Sequence, residues 1–171
     1  MVALRHRTLG VTLVELMVAV IVAGILAAVV VPQFTQHRGE ARLAVLDANL
    51  TEVRNAIELY AYQHGGTYPG TRDRTDPAKP SSHPAEDFMQ QLTQYTDACG
   101  AVRAVQDANH ALGPYLHKSE LPRNPYTNTS TLTVASDDGA GMPPPVDGGA
   151  AWRFVAPTGH FFANQPGHET R

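Results

Sequence analysis

Between Val11 and Val31 the chain is apolar almost throughout, "VTLVELMVAVIVAGILAAVVV", with one carboxylate, Glu15. At about 1.5 Å of rise per residue, a helix of this run reaches roughly 30 Å, the hydrocarbon thickness of a bilayer. The run therefore predicts a membrane-spanning helix. Arg5 and Arg7 stand just before it and nothing comparably basic follows for several residues. The positive-inside bias then keeps the N-terminus cytoplasmic and sends the remainder across. A cleavable secretory signal competes with this reading, but its apolar core is shorter, about 7–15 residues, and is followed by a small-residue cleavage site. The stretch "PQFTQHRGEAR" has no such site, although "AGILAA" inside the run keeps the alternative open.

Glu15 is the anomaly in this segment. An ionised carboxylate at a bilayer centre costs at least ~2.5 kcal/mol on insertion scales, so such residues usually face a partner. Lying near the start of the run, Glu15 can sit at headgroup level, where water reaches it. Alternatively it awaits a positive group on another copy of the chain, and a new N-terminal amine would serve if the chain were cut just before Val11.

The stretch "Gly10-Val11-Thr12-Leu13-Val14-Glu15-Leu16", after a short basic leader and before an apolar run, resembles the type IV prepilin signal of pilins and type II secretion pseudopilins. That resemblance implies cleavage after Gly10 by a prepilin peptidase, N-methylation of Val11, and an assembly role for Glu15 against a neighbouring subunit's terminal amine. Val11 departs from the phenylalanine commonest at that position in the family. Pro32 matches a proline that kinks or locally melts the family's long helix; without the resemblance it reads as an exit from the membrane helix.

Beyond the run, Leu43, Leu46, Leu50, Val53, Ile57 and Tyr60 alternate spacings of three and four, which places one apolar stripe on one helix face. Arg42, Glu52, Arg54 and Glu58 fall largely off that stripe and read as a solvated face. "His64-Gly65-Gly66" predicts the helix stop. The stretch from Thr67 to Pro84 is rich in proline and glycine and reads as a surface connection. Pro84–Leu92 opens on a proline and two acids, which predicts a short helix with Phe88, Leu92 and Tyr95 on one face. The residues from Asp97 to Leu116 show no period and read as irregular.

Three alternating or β-branched segments follow, 130–134, 151–155 and 159–163, with "Pro157-Thr158-Gly159" as a hairpin turn between the last two. The expected fold is α+β: a long N-terminal helix, membrane-spanning in its first half and amphipathic in its second, laid on a small antiparallel sheet in the pilin manner. The implied organisation is a leader over 1–10, a membrane or filament-core helix over 11–31, its amphipathic continuation over 32–64 and an α+β head over 65–171. Residues 113–128 and 151–164 resemble the C-terminal part of the G-type major pseudopilin, in which Pro122 and Pro125 would give a rigid approach to the sheet and Trp152 and Phe154 would pack across it.

No catalytic arrangement emerges. The eight histidines show no metal-ligand spacing, and no nucleophile elbow or phosphate-cradling glycine loop is present. The single cysteine, Cys99, excludes an internal disulfide and reads as a small buried residue. With 13 Lys+Arg against 16 Asp+Glu, and no basic block past the leader, nucleic acid is not an expected partner. The family's G-type members hold a structural calcium in a C-terminal loop, for which Asp137, Asp138 and Asp147 are weak candidates here; their spacing matches no recognised calcium loop.

The expectation is thus a non-enzymatic pseudopilin of the bacterial inner membrane, single-pass with a periplasmic head. Its partners would be copies of itself, other pseudopilins, the prepilin peptidase and an inner-membrane assembly platform. A type IV pilin for adhesion, motility or DNA uptake is the nearest alternative, and a membrane-tethered binding domain that never polymerises is the third.

Overall fold

The computed structural model describes residues 10–135 and 149–164, without the side chains of residues 29–38. Helix α1 spans Leu13–Gln63 and α2 spans Pro84–Thr93; the strands are β1 (Tyr95–Thr96), β2 (Val102–Arg103), β3 (Leu132–Ala135), β4 (Trp152–Val155) and β5 (His160–Ala163). The chain divides into two compact units, Met1–Ala41 and Arg42–Arg171. The helix assignment continues through Pro32, whose side chain, and with it the expected kink, lies outside the described residues.

In the second unit the predicted stripe becomes the core. Leu46, Leu50, Val53, Ile57 and Tyr60 are buried, and Leu43, at the start of the stripe, is half-buried. They meet Phe88 and Leu92 of α2 and Trp152, Phe154 and Phe161 of the sheet in one apolar cluster. Removing each such side chain from water contributes about 1.5–3 kcal/mol, so this stripe is what binds the helix to the strands. Arg54, expected to be solvated, is instead half-buried, and its Nε donates to the Phe161 carbonyl at 2.9 Å. The long arginine stem covers apolar surface while the guanidinium satisfies a carbonyl of β5.

The helix stops where the glycines predict. Gly65 and Gly66 have φ of 65° and 86°, and the Gly66 N–H returns to the Ala61 carbonyl at 2.8 Å, capping a carbonyl that the helix leaves free. Helix α2 starts on Pro84 with Glu86 and Asp87 in its first turn and buries Phe88 and Leu92. Tyr95, expected on the same face, has left the helix for β1.

The main sheet has the order β3-β4-β5. β4 and β5 pair antiparallel through the predicted turn, closed by the Gly159 N–H donating to the Val155 carbonyl at 2.9 Å. β3 runs parallel to β4, Leu132 opposite Trp152 and Ala135 opposite Val155, where an all-antiparallel set was expected. Residues 136–151 connect the two strands, a length that permits the crossover a parallel pair needs. Within the stretch expected to be irregular, β2 pairs antiparallel with β1 around the turn at Asp97–Gly100.

Cys99 sits on that turn and is exposed, not buried. The cause is local: the Asp97 carboxylate accepts the N–H groups of Cys99 at 2.9 Å and Ala101 at 2.8 Å, tightening the turn so that Cys99 projects outward.

Candidate functional site

The segment that the sequence singles out opens at Gly10, which is exposed; a Cβ added there would meet nothing within 4 Å. Val11 is 72% exposed, and Leu13, Val14, Leu16, Met17, Val18, Val20 and Ile21 are also exposed. Their positions cover every side of the helix, so no single face is apolar in the way a surface helix would be. Such a helix requires lipid or other helices around it. Among the described residues, however, no helix is long and apolar enough to cross a membrane. The described side chains of the apolar run end at Ala28, so the predicted span over Val11–Val31 extends past them.

Thr12 caps this helix. Its Oγ1 accepts the Glu15 N–H at 3.2 Å and its carbonyl accepts the Leu16 N–H at 3.2 Å. The stretch "Thr12-Leu13-Val14-Glu15" carries the threonine and glutamate of a capping box, three residues apart. Sequence reasoning passed over that spacing, although it was visible. Glu15 therefore occupies the first turn of α1, where the partial positive charge of the helix N-terminus favours a carboxylate. The structure places Gly10, Val11 and Glu15 together on an exposed helix start. The leader residues Arg5 and Arg7 and the calcium candidates Asp137, Asp138 and Asp147 lie outside the described residues, as does the side chain of Pro32.

The head carries polar networks that hold loops in place. Asp87 is fully buried; Arg74 Nη1 donates to its Oδ1 at 2.5 Å and the Ser81 hydroxyl donates to its Oδ2, while Arg74 Nη2 reaches Glu86 at 2.9 Å. This hydrogen bond to Asp87 holds the Arg74 guanidinium above the usual arginine range. Gln91, also buried, accepts the Gly70 N–H at 2.8 Å and donates to the carbonyls of Arg72 at 3.2 Å and Gly100 at 3.0 Å. Asn124 Nδ2 donates to the Ala151 carbonyl at 3.1 Å and Trp152 Nε1 to the Pro122 carbonyl at 2.8 Å. The Pro122–Pro125 segment is thereby tied to β4. Among the described residues, no three His, Cys, Asp or Glu side chains gather where they could hold a metal ion.

Residues 5–31 match the prokaryotic N-terminal methylation motif. The chain is thus prepilin-like at its N-terminus. Its relatives carry the resemblance further. It is 33% identical over 82 residues to the type II secretion system core protein G of Pseudomonas aeruginosa, covering 47% of this chain and 57% of that one. To the protein of the same name from Pectobacterium carotovorum subsp. carotovorum it is 27% identical over 97 residues, covering 52% of this chain and 62% of that one. It is also 37% identical over 60 residues to the type IV narrow pilus major component PilA5 of Thermus thermophilus, covering 35% of this chain and 52% of that one. The likeness to the two core G proteins extends over about half of this chain. The chain spans less than two thirds of the length of each of these relatives. No solved structure matches the chain.

Proposed function

We infer that this chain is a structural, non-enzymatic subunit of a type II secretion pseudopilus, cut and methylated at its N-terminus and polymerised to drive protein export. The observation that carries this reading is the prepilin-type N-terminus, in which Gly10 precedes an apolar helix exposed on all sides and Glu15 lies in its first turn. Similarity to the core G proteins favours the secretion filament.

In this reading the Gly10–Val11 bond is cleaved by prepilin peptidase and the new Val11 amine is methylated. In the lipid phase the apolar side chains supply little drive for association, because lipid is as apolar as they are. The carboxylate is what distinguishes lipid from filament. Near the bilayer centre an unpaired Glu15 would cost at least ~2.5 kcal/mol, and pairing with a neighbour's Val11 amine offsets that cost as the subunit enters the filament. Other pseudopilins and an inner-membrane platform would complete the assembly. The chain would be anchored in the inner membrane with its head in the periplasm.

Intact mass and N-terminal sequencing of the chain from native membranes test the reading. A chain beginning at Val11 with one added methyl group is expected; a retained Met1, or a cut after the apolar run, would remove the amine and overturn it. Glu15→Leu is expected to abolish filament assembly while leaving cleavage intact. A second reading, a type IV pilus subunit, is favoured by the similarity to PilA5. Surface filaments that persist in cells lacking the secretion machinery would select it.

A further inference from the structure

The three-stranded sheet has two edges, and the chain treats them differently. At β5 the Phe161 carbonyl, turned away from β4, accepts the Arg54 Nε of α1 at 2.9 Å, and Phe161, Phe162 and Ala163 are all buried. At β3 the Trp152 N–H donates to the Thr131 carbonyl and the Ala156 N–H to the Ala135 carbonyl. In a parallel pair each residue turns its N–H and C=O to the same side, and successive residues alternate. Thr131, Thr133 and Ala135 therefore face β4. Leu132 and Val134 turn their N–H and C=O groups outward, and among the described residues none of these groups has a hydrogen-bond partner.

Edge strands are commonly guarded by a lysine, a proline or a bulge. The stretch "Thr131-Leu132-Thr133-Val134-Ala135" carries neither charge nor proline, and β3 pairs with β4 without a bulge. A groove of about 430 Å³ opens beside the start of this edge, between Glu86 and Met89 of α2, the segment Glu120–Leu121 and Leu132. Met89, Leu121 and Leu132 give it apolar walls. Its charge is of one sign, because no lysine, arginine or histidine lines it. Glu120 is exposed and has no partner among the described residues. The Glu86 side chain is 53% exposed; its Oε1 takes Arg74 and Gln90, which leaves Oε2 unbonded among the described residues.

A strand added along β3 puts every second side chain on the face that Leu132 shares, over this groove. Lysine or arginine suits that position. The methylene stem lies against the apolar walls while the charge reaches the two carboxylates. An acidic side chain there meets like charge.

We propose that the outer edge of β3 is a docking site for an extended, basic segment of another protein, which pairs its backbone with Leu132 and Val134 and lays a lysine or arginine into the groove. In strand addition of this kind, backbone bonds supply affinity and the side-chain groove supplies selectivity. The site lies wholly within the second unit and does not depend on the filament reading.

The probe is a short peptide alternating threonine and lysine, blocked at both ends, added to the full-length chain in uncharged detergent micelles and followed by amide NMR. Hydrogen-exchange protection of Leu132 and Val134 is expected to rise several-fold, while that of Thr133 and Ala135, already bonded to β4, holds. The same peptide with glutamate in place of lysine, and one N-methylated at every backbone nitrogen, are each expected to leave Leu132 and Val134 unprotected. In Glu120→Gln the affinity for the lysine peptide is expected to fall several-fold. Absence of protection with the lysine peptide overturns the proposal. Equal binding of the N-methylated peptide overturns it too, since charge alone would then hold the peptide, and so does equal binding of the glutamate peptide. Protection of Leu132 and Val134 that grows with protein concentration in the absence of peptide would assign the edge to a second copy of this chain and overturn it as well.

Discussion

Arg74 and Asp87 form an ion pair at 2.5 Å in which the carboxylate is fully buried and the arginine side chain 22% exposed. The pair fastens the loop after α1 to the first turn of α2, with Ser81 on the second carboxylate oxygen. Removing the arginine leaves a buried carboxylate with a single hydroxyl partner, which is costlier than losing the attraction itself. Because the arginine is partly solvated, Arg74→Ala is expected to destabilise the head by about 2 kcal/mol. Asp87→Asn, which removes the charge but keeps the shape, should cost less. Denaturant unfolding of the two variants checks the order; equal losses would mean that the buried charge is not the cause.

Asp73 is a half-buried carboxyl held down to about 2, first by the Thr75 hydroxyl at 2.6 Å and then by the N–H groups of Thr75 and Asp76. All three bonds favour the charged form. The folded value lies below the unfolded reference of ~3.9, so the stabilisation is present above that reference and is lost as pH falls toward about 2. Side-chain carboxyl titration by NMR should place the Asp73 midpoint near that low value, and Thr75→Val should move it upward. An unchanged midpoint in Thr75→Val would show that the backbone N–H groups alone hold it.

Gly159 and Gly65 share the left-handed backbone, with φ of 71° and 65°, but not their surroundings. A Cβ at Gly159 would run into the Tyr68 ring, whereas one at Gly65 meets nothing within 4 Å. Gly65→Ala should therefore cost only the conformational penalty, about 1–2 kcal/mol. Gly159→Ala adds the displacement of an aromatic ring at the β4–β5 turn, about 1–3 kcal/mol more. Thermal melting of the two variants separates them; equal shifts would show that Tyr68 yields without cost.

Thr12→Ala removes the cap but leaves the Glu15 carboxylate in place. The first turn of α1 should lose about 0.5–2 kcal/mol, read as faster amide exchange at Glu15 and Leu16. If the assembly role of Glu15 rests on its charge, Thr12→Ala should still form filaments where Glu15→Leu does not. Loss of filaments in both variants would mean that the ordered first turn, rather than the carboxylate, is what assembly requires.

Much of this protein is legible in local pattern. Periodicity alone marks the core stripe from Leu46 to Tyr60, because a helix sorts its faces by spacing and burial follows the apolar one. Gly65 and Gly66 mark the helix end and Pro84 the next helix start because these residues act through their own backbone. The N-terminal pattern of Gly10, Val11 and Glu15 is read from order and spacing, with no folding needed. What the chain could not disclose depends on partners distant in sequence. Arg54 is drawn from a solvated face to the Phe161 carbonyl because β5 happens to pass there. The parallel pairing of β3 with β4 is a matter of how two separate strands meet, and the alternation within either strand carries no sign of it. Asp87, Gln91 and Asn124 are polar residues that local pattern places outside; burial is tolerable for them only once Arg74, Gly70 and Ala151 supply their bonds. His64 joins them, since the Tyr60 carbonyl and the Thr96 hydroxyl that partner its ring meet only when β1 folds back onto the end of α1.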